Sequence, residues 1–156
     1  MEMHQKWMQL ALAEAQKAAD RGEVPIGAVV IHEDRLIARG HNLIETLQEP
    51  TAHAEIIALN AAANAQVSWR LEDATLYVTL EPCPMCMGAL HLARISRLVF
   101  GAHDARLGAC GSKVDLTQLD AMGPPVEVIS GVEAEKSARM LKAFFQELRK
   151  KNKRPA

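Results

Sequence analysis

The sequence predicts an α/β fold in three layers, a mixed five-stranded sheet with helices on both faces. Three observations predict it. Amphipathic helical stretches open and close the chain. Between them lie short apolar runs with strand character. Two of these runs flank a helix, in the strand–helix–strand order of a right-handed crossover, so those two strands should be parallel.

Taken in order, residues from about His4 to Arg21 read as an amphipathic helix. Trp7, Leu10, Ala11, Ala15 and Ala18 recur near helical spacing, and Gly22 ends it. From Pro25 to Asn42 the pattern is that of an antiparallel hairpin. Ile26-Gly27-Ala28-Val29-Val30-Ile31 is its buried strand, Glu33-Asp34 its turn and Leu36-Ile37-Ala38 its answering strand. Thr51 to about Ala65 is a helix with Ile56, Leu59 and Ala63 on its apolar face, and Thr51 is its expected N-cap. Thr75 to Leu80 is a strand that leads directly into Glu81-Pro82-Cys83, with a second helix following to about Arg94. Pro82 and Pro84 suit the first turn of that helix. Arg97 to Gly101 is the next strand. His103 to Pro125 reads as loop, with Gly108, Gly111, Gly123 and Pro124-Pro125. Val126 to Ile129 is a short last strand. Glu133 to about Lys150 is a closing helix striped by Met140, Leu141, Phe144, Phe145 and Leu148.

Composition bounds the class. The chain has 156 residues, read as one domain over 1–156, with 49% apolar and 24% charged residues, an ordinary globular balance. A formal net charge of -1 leaves no overall footprint for nucleic acid. Three cysteines make a disulfide framework improbable and point to a reducing cytoplasm. The N-terminus is polar, and neither a signal peptide nor a membrane span is expected.

The chemistry sits in two short stretches, His53-Ala54-Glu55 and Pro82-Cys83-Pro84-Met85-Cys86. Together they spell H-x-E…P-C-x-x-C, the pattern of the zinc-dependent nucleobase deaminases. Cys83 and Cys86, three apart on a helix, share a face and can reach one metal. Two thiolates and a neutral His53 cancel the two charges of Zn2+. Three protein ligands leave a fourth position for water, as catalytic sites do. There zinc lowers the pKa of water to roughly 7. Glu55 lies two residues from His53, so both can serve one site only if it lies off the helix N-terminus. Glu55 is then the candidate proton carrier. A structural site closed by Cys110 as fourth ligand is the non-enzymatic alternative, and an enzyme of the same fold acting on a free base or nucleoside is the enzymatic one.

Over its whole length the chain resembles the bacterial tRNA-specific adenosine deaminases (TadA type) of the cytidine deaminase-like superfamily. The resemblance is carried by Glu23-Val24-Pro25-Ile26-Gly27-Ala28-Val29, Gly40-His41-Asn42, Thr51-Ala52-His53-Ala54-Glu55 and Thr79-Leu80-Glu81-Pro82-Cys83-Pro84-Met85-Cys86. It continues in Gly101-Ala102-His103-Asp104 and Gly108-Ala109-Cys110-Gly111-Ser112. It implies a cytidine deaminase-like fold with one zinc ion per subunit, held by His53, Cys83 and Cys86, and Glu55 as catalytic acid and base. It implies conversion of adenosine to inosine at the wobble position of a tRNA anticodon stem-loop by a homodimer. An unpaired loop base suits such a pocket, since a duplex base must first be extracted. The resemblance also assigns substrate contacts. Asn42 is expected to hydrogen-bond the nucleoside, Ile26 to pack on the purine, Ala54 to lie against the substrate, and Asp104 to accept from a ribose hydroxyl or else fix its own loop. The basic end, Arg149, Lys150, Lys151, Lys153 and Arg154, can meet RNA phosphates or simply complement a helix dipole.

Overall fold

The computed structural model describes residues 1–153; Arg154, the last residue of the basic end, lies outside them. Helix α1 (Glu2–Asp20) precedes the hairpin β1 (Gly27–His32) and β2 (Arg35–His41). A short helix α2 (Ile44–Leu47) leads to α3 (Ala54–Gln66), then β3 (Thr75–Leu80), α4 (Pro84–Leu92) and β4 (Arg97–Ala102). After a long connection carrying a 3₁₀ turn at Asp120–Met122 come β5 (Glu127–Ile129) and α5 (Ala134–Lys153).

The sheet has five strands in the order β2-β1-β3-β4-β5. β1 is antiparallel to both its neighbours, while β3, β4 and β5 run parallel. The sheet is therefore mixed, as the sequence implies. Alternation along the strands builds two cores. Ala28, Val30, Leu76, Val78, Leu98 and Phe100 point to the side of α3 and α4, where Ala58, Leu59, Met87 and Leu90 meet them. Val29, Ile31, Tyr77 and Val99 point to the other side, against Trp7, Met8, Ala11 and Leu12 of α1. Apolar residues on both faces of a strand are what a sheet covered by helices on both sides requires.

Two glycines set the helices close to the sheet. At Gly27 an added Cβ would collide with the backbone of Ala11 and Ala15 in α1. At Gly40 it would lie 2.6 Å from the Ala54 carbonyl oxygen and 2.7 Å from the Ala58 nitrogen. The missing side chain thus lets α3 rest its first turns on β2. The Glu33-Asp34 turn has positive φ at both residues (51° and 58°), the form whose twist matches a hairpin.

Several boundaries depart from the sequence reading. Thr51 does not cap α3. The chain turns once more, with the His53 N–H bonded to the Thr51 carbonyl at 2.7 Å, and His53 itself is the N-cap. Cys83 is the N-cap of α4, so only Pro84 lies in its first turn and Pro82 stands before it. The helix stops at Leu92, and Arg94 takes a positive φ of 64°. The short helix α2 and the 3₁₀ turn interrupt segments with no helical periodicity.

Candidate active site

Both halves of the motif sit at helix starts. His53 and Cys83 are N-caps with extended backbone, and Cys86 lies one turn into α4. The three donor atoms of His53, Cys83 and Cys86 all fall within 4.8 Å of one another. His53 Nδ1 is 3.6 Å from Cys83 Sγ and 3.5 Å from Cys86 Sγ. Ordinary zinc–sulfur and zinc–nitrogen bonds at tetrahedral angles put such donors about 3.6 Å apart. The cluster therefore has the spacing and the soft donor set of a metal site. Cys110, the fourth ligand of the structural alternative, is outside it. Its sulfur lies 3.5 Å from Met87 Sδ.

Electrostatics favour a charged sulfur. A hydrogen bond from the Cys86 thiol, joined by His53, holds Cys83 down to about 4 against the effect of burial. Sharing that bond, Cys86 is held well above the ordinary thiol range. The partial positive charge at a helix N-terminus also favours a thiolate there.

Glu55, in the first turn of α3, is buried (4% exposed). Burial pushes its carboxyl up to about 7, against the opposing pull of its own backbone N–H and of His53. A cation held by the cluster would pull it back down. A buried carboxyl beside the donors is placed to take and to give a proton.

A cavity of about 350 Å³ opens over this group, with His53, Glu55 and Cys83 on its wall. Ile26, Asn42 and Asp104 line it too, so three of the four residues expected to touch substrate converge here. Asn42 is 4% exposed, and its Oδ1 meets no hydrogen-bond partner among the described residues. A buried polar atom without a protein partner at a cavity wall is available to hydrogen-bond a ligand group. Ala54, the fourth, is placed differently. Its methyl is fully buried in the core under α3 and does not line the cavity. Asp104 Oδ1 accepts the N–H groups of Arg106 (2.9 Å) and Leu107 (3.3 Å), so it does fix its own loop.

Sequence reasoning missed several contributors to the cavity wall. Leu141 and Phe145 of α5 line the cavity, though their place in one long apolar stripe gave no sign of it. Glu81 lines it as well. Burial pushes its carboxyl up, but the Ser112 hydroxyl and the N–H groups of Asp104, Cys110 and Ser112 outweigh that and hold it below the ordinary value. Its position just before Pro82-Cys83 was the only available signal. In the basic end, Arg149, Lys150, Lys151 and Lys153 are exposed on the last turns of α5, and Lys150 pairs with Glu147 at 3.3 Å.

Comparison with known proteins shows the family. The model of the MafB19-like deaminase family matches residues 2–149. A tRNA-specific adenosine deaminase of Bacillus subtilis (strain 168) is 50% identical over 153 residues, 98% of this chain and 95% of that protein. One from Haemophilus influenzae is 49% identical and covers 97% of this chain and 88% of its own length. A solved structure from work on A-to-I editing by tRNA:A34 deaminases at the wobble position of transfer RNA has a TM-score of 0.84 and 45% identity, covering 87% of this chain and 99% of that one. With a family match across nearly its full length and relatives at half identity, the chain belongs to the MafB19-like deaminases and, among them, to the tRNA-specific adenosine deaminase family.

Proposed function

We propose that the protein hydrolyses adenosine to inosine and ammonia at the wobble position of a tRNA anticodon, using zinc held by His53, Cys83 and Cys86. The observation that carries this reading is the buried Glu55 carboxyl beside a cluster of three donors within 4.8 Å of one another, with Glu55, His53 and Cys83 on the wall of one cavity. Zinc, when bound, supplies Lewis acidity that makes water a competent nucleophile at neutral pH. The chain's own residues do the rest. Glu55 accepts the proton that water loses and delivers it to adenine N1 as C6 is attacked. It then helps protonate the departing amine, so that ammonia leaves and the ring keeps an oxygen. Asn42 hydrogen-bonds the nucleoside through its unpaired buried amide. Ile26 packs on the purine. The ribose lies near Asp104, which also orders its loop, and Ala54 contributes through its main chain.

The enzyme acts in the cytoplasm as a homodimer. Among the described residues no helix is long and apolar enough to cross a membrane. Support for the dimer comes from a face formed by α3, α4 and the segment after α3, where Arg70 lies over the Trp69 ring at 4.9 Å but the lining of a shallow depression carries no charged residue. There Val67, Trp69 and Leu92 are exposed beside that depression of about 230 Å³, lined by Ile56, Ala63 and Ala93. An apolar patch of this kind marks an interaction surface. The deciding experiment incubates zinc-loaded protein with an adenosine-bearing anticodon stem-loop, and in parallel with free adenosine, cytidine and guanine. Inosine in the stem-loop is expected. Turnover of a free compound alone would overturn the substrate assignment.

A further inference from the structure

Glu81 is required neither by the metal cluster nor by the proton transfer, yet its carboxylate organises a whole wall of the cavity. Its side chain is fully buried (0% exposed). Oε1 accepts the Asp104 N–H at 3.0 Å and the Ser112 hydroxyl. Oε2 accepts the N–H groups of Cys110 at 2.8 Å and Ser112 at 3.2 Å. His103 Nδ1 stands 3.4 Å from Oε1. Among the described residues no lysine or arginine pairs with it, so these donors carry the whole burden of keeping a buried charge.

The donors all belong to one segment, residues 103–112, which has no helix or named strand. It wraps so closely that a Cβ at Gly108 would lie 2.5 Å from Glu81 Oε1. The Ala109 N–H makes a second tie, to the Pro82 carbonyl at 2.8 Å. The same segment supplies Asp104, Arg106 and Leu107 to the cavity. The metal donors and Glu55 are mounted elsewhere, at the starts of α3 and α4.

We propose that Glu81 is a positioning residue for the substrate: it fixes segment 103–112 as a rigid wall of the cavity, so that the RNA meets preordered groups. Without it the wall must be ordered at each binding event, which weakens binding while leaving the reacting groups in place. The role belongs to the deamination proposed above, and wild-type activity on the stem-loop is therefore measured first.

The test uses Glu81→Gln and Ser112→Ala in the full zinc-loaded chain. The glutamine amide presents a donor where the carboxylate accepted N–H groups, so it cannot satisfy the same set. In Glu81→Gln the stem-loop KM should rise about tenfold or more with kcat changed far less. Zinc content should stay at one per chain, and the amides of Asp104, Cys110 and Ser112 should exchange faster. Ser112→Ala should move KM and exchange in the same direction by a smaller factor, and it decides alone if Glu81→Gln does not fold. A lowered melting temperature with unchanged KM, or unchanged exchange in the segment, overturns the proposal. A wild-type protein that makes no inosine from the stem-loop refutes the reaction itself, whatever the variants do.

Discussion

His53 Nδ1 stands 3.6 Å from Cys83 Sγ although 30 positions of sequence separate them. The sheet makes this possible. α3 rests on β2 through Gly40, and α4 starts just beyond the end of β3, so two helix N-termini meet at one edge. Cys86, one turn further along α4, completes the set without any long-range constraint of its own.

Removing a donor should therefore remove the metal. Cys86→Ala is expected to lower zinc content well below one per chain and abolish deamination. Cys110→Ser should retain both, because Cys110 packs against Met87 rather than joining the cluster. Metal analysis of the two purified variants checks this. Zinc loss on replacing Cys110 would revive the four-ligand alternative.

Glu55→Ala should keep zinc and lose inosine formation by about 10²- to 10⁴-fold, the usual contribution of a placed acid–base group. A purified, metal-loaded variant working at close to the wild-type rate would exclude the proton-transfer role.

Asn42→Ala removes a buried amide whose Oδ1 has no protein partner among the described residues. Its cost should fall on substrate-bound states, lowering kcat/KM by roughly 1 to 3 kcal/mol, while the melting temperature changes little. Steady-state kinetics on the stem-loop, set beside a thermal melt, reads both. A large drop in stability with unaltered kcat/KM would show that the amide serves the fold alone.

Gly40→Ala tests how α3 is seated. Its new methyl would press on the Ala54 oxygen and the Ala58 nitrogen, backbone atoms that cannot swing aside. A destabilisation of about 1 to 3 kcal/mol is expected. Activity should fall even in the folded protein, since His53 and Glu55 ride on the helix that must move. Denaturant unfolding and zinc affinity measure the two effects separately.

Acid should unfold the protein partly through Glu23. Burial pushes its carboxyl up, but the Thr46 hydroxyl and N–H and the Glu45 N–H outweigh this and hold it below its ordinary 4.5. A depressed carboxyl adds stability that is complete above the unfolded value and disappears as pH falls through the folded one. Glu23→Gln should then melt roughly 5 °C lower at neutral pH. The gap should close as pH drops below about 4.5. A gap that persists unchanged into acid would mean the carboxylate charge contributes nothing.

The parts legible in the sequence were those where chemistry or periodicity restricts residue type. The metal donors and Glu55 stand out because a divalent ion needs particular atoms at particular spacings. β3 could be read to its end residues because its apolar run is bounded sharply. The hairpin was legible from the Glu33-Asp34 turn. What stayed hidden depends on long-range approach. Glu81 resembles any acidic residue until the amides of residues 104–112 converge on it. Phe145 and its neighbour Phe144 are alike in sequence, yet Phe145 lines the cavity over the metal cluster and Phe144 a separate groove against α1. The start of α3 was misplaced because Thr51 has the better intrinsic capping preference, while tertiary structure gives the position to His53.

That displacement has a consequence for anyone seeking a hardier enzyme. Neither His53 nor Cys83 makes a side-chain cap hydrogen bond to its own helix, so both helices forgo a contribution of about 1 kcal/mol that serine or aspartate would bring. Helix-cap optimisation would single out these two positions, and they are two that it must leave alone. Robustness has to be engineered at a distance, on the outer turns of α1 and α5, because here the weakest ends of two helices are also the instrument.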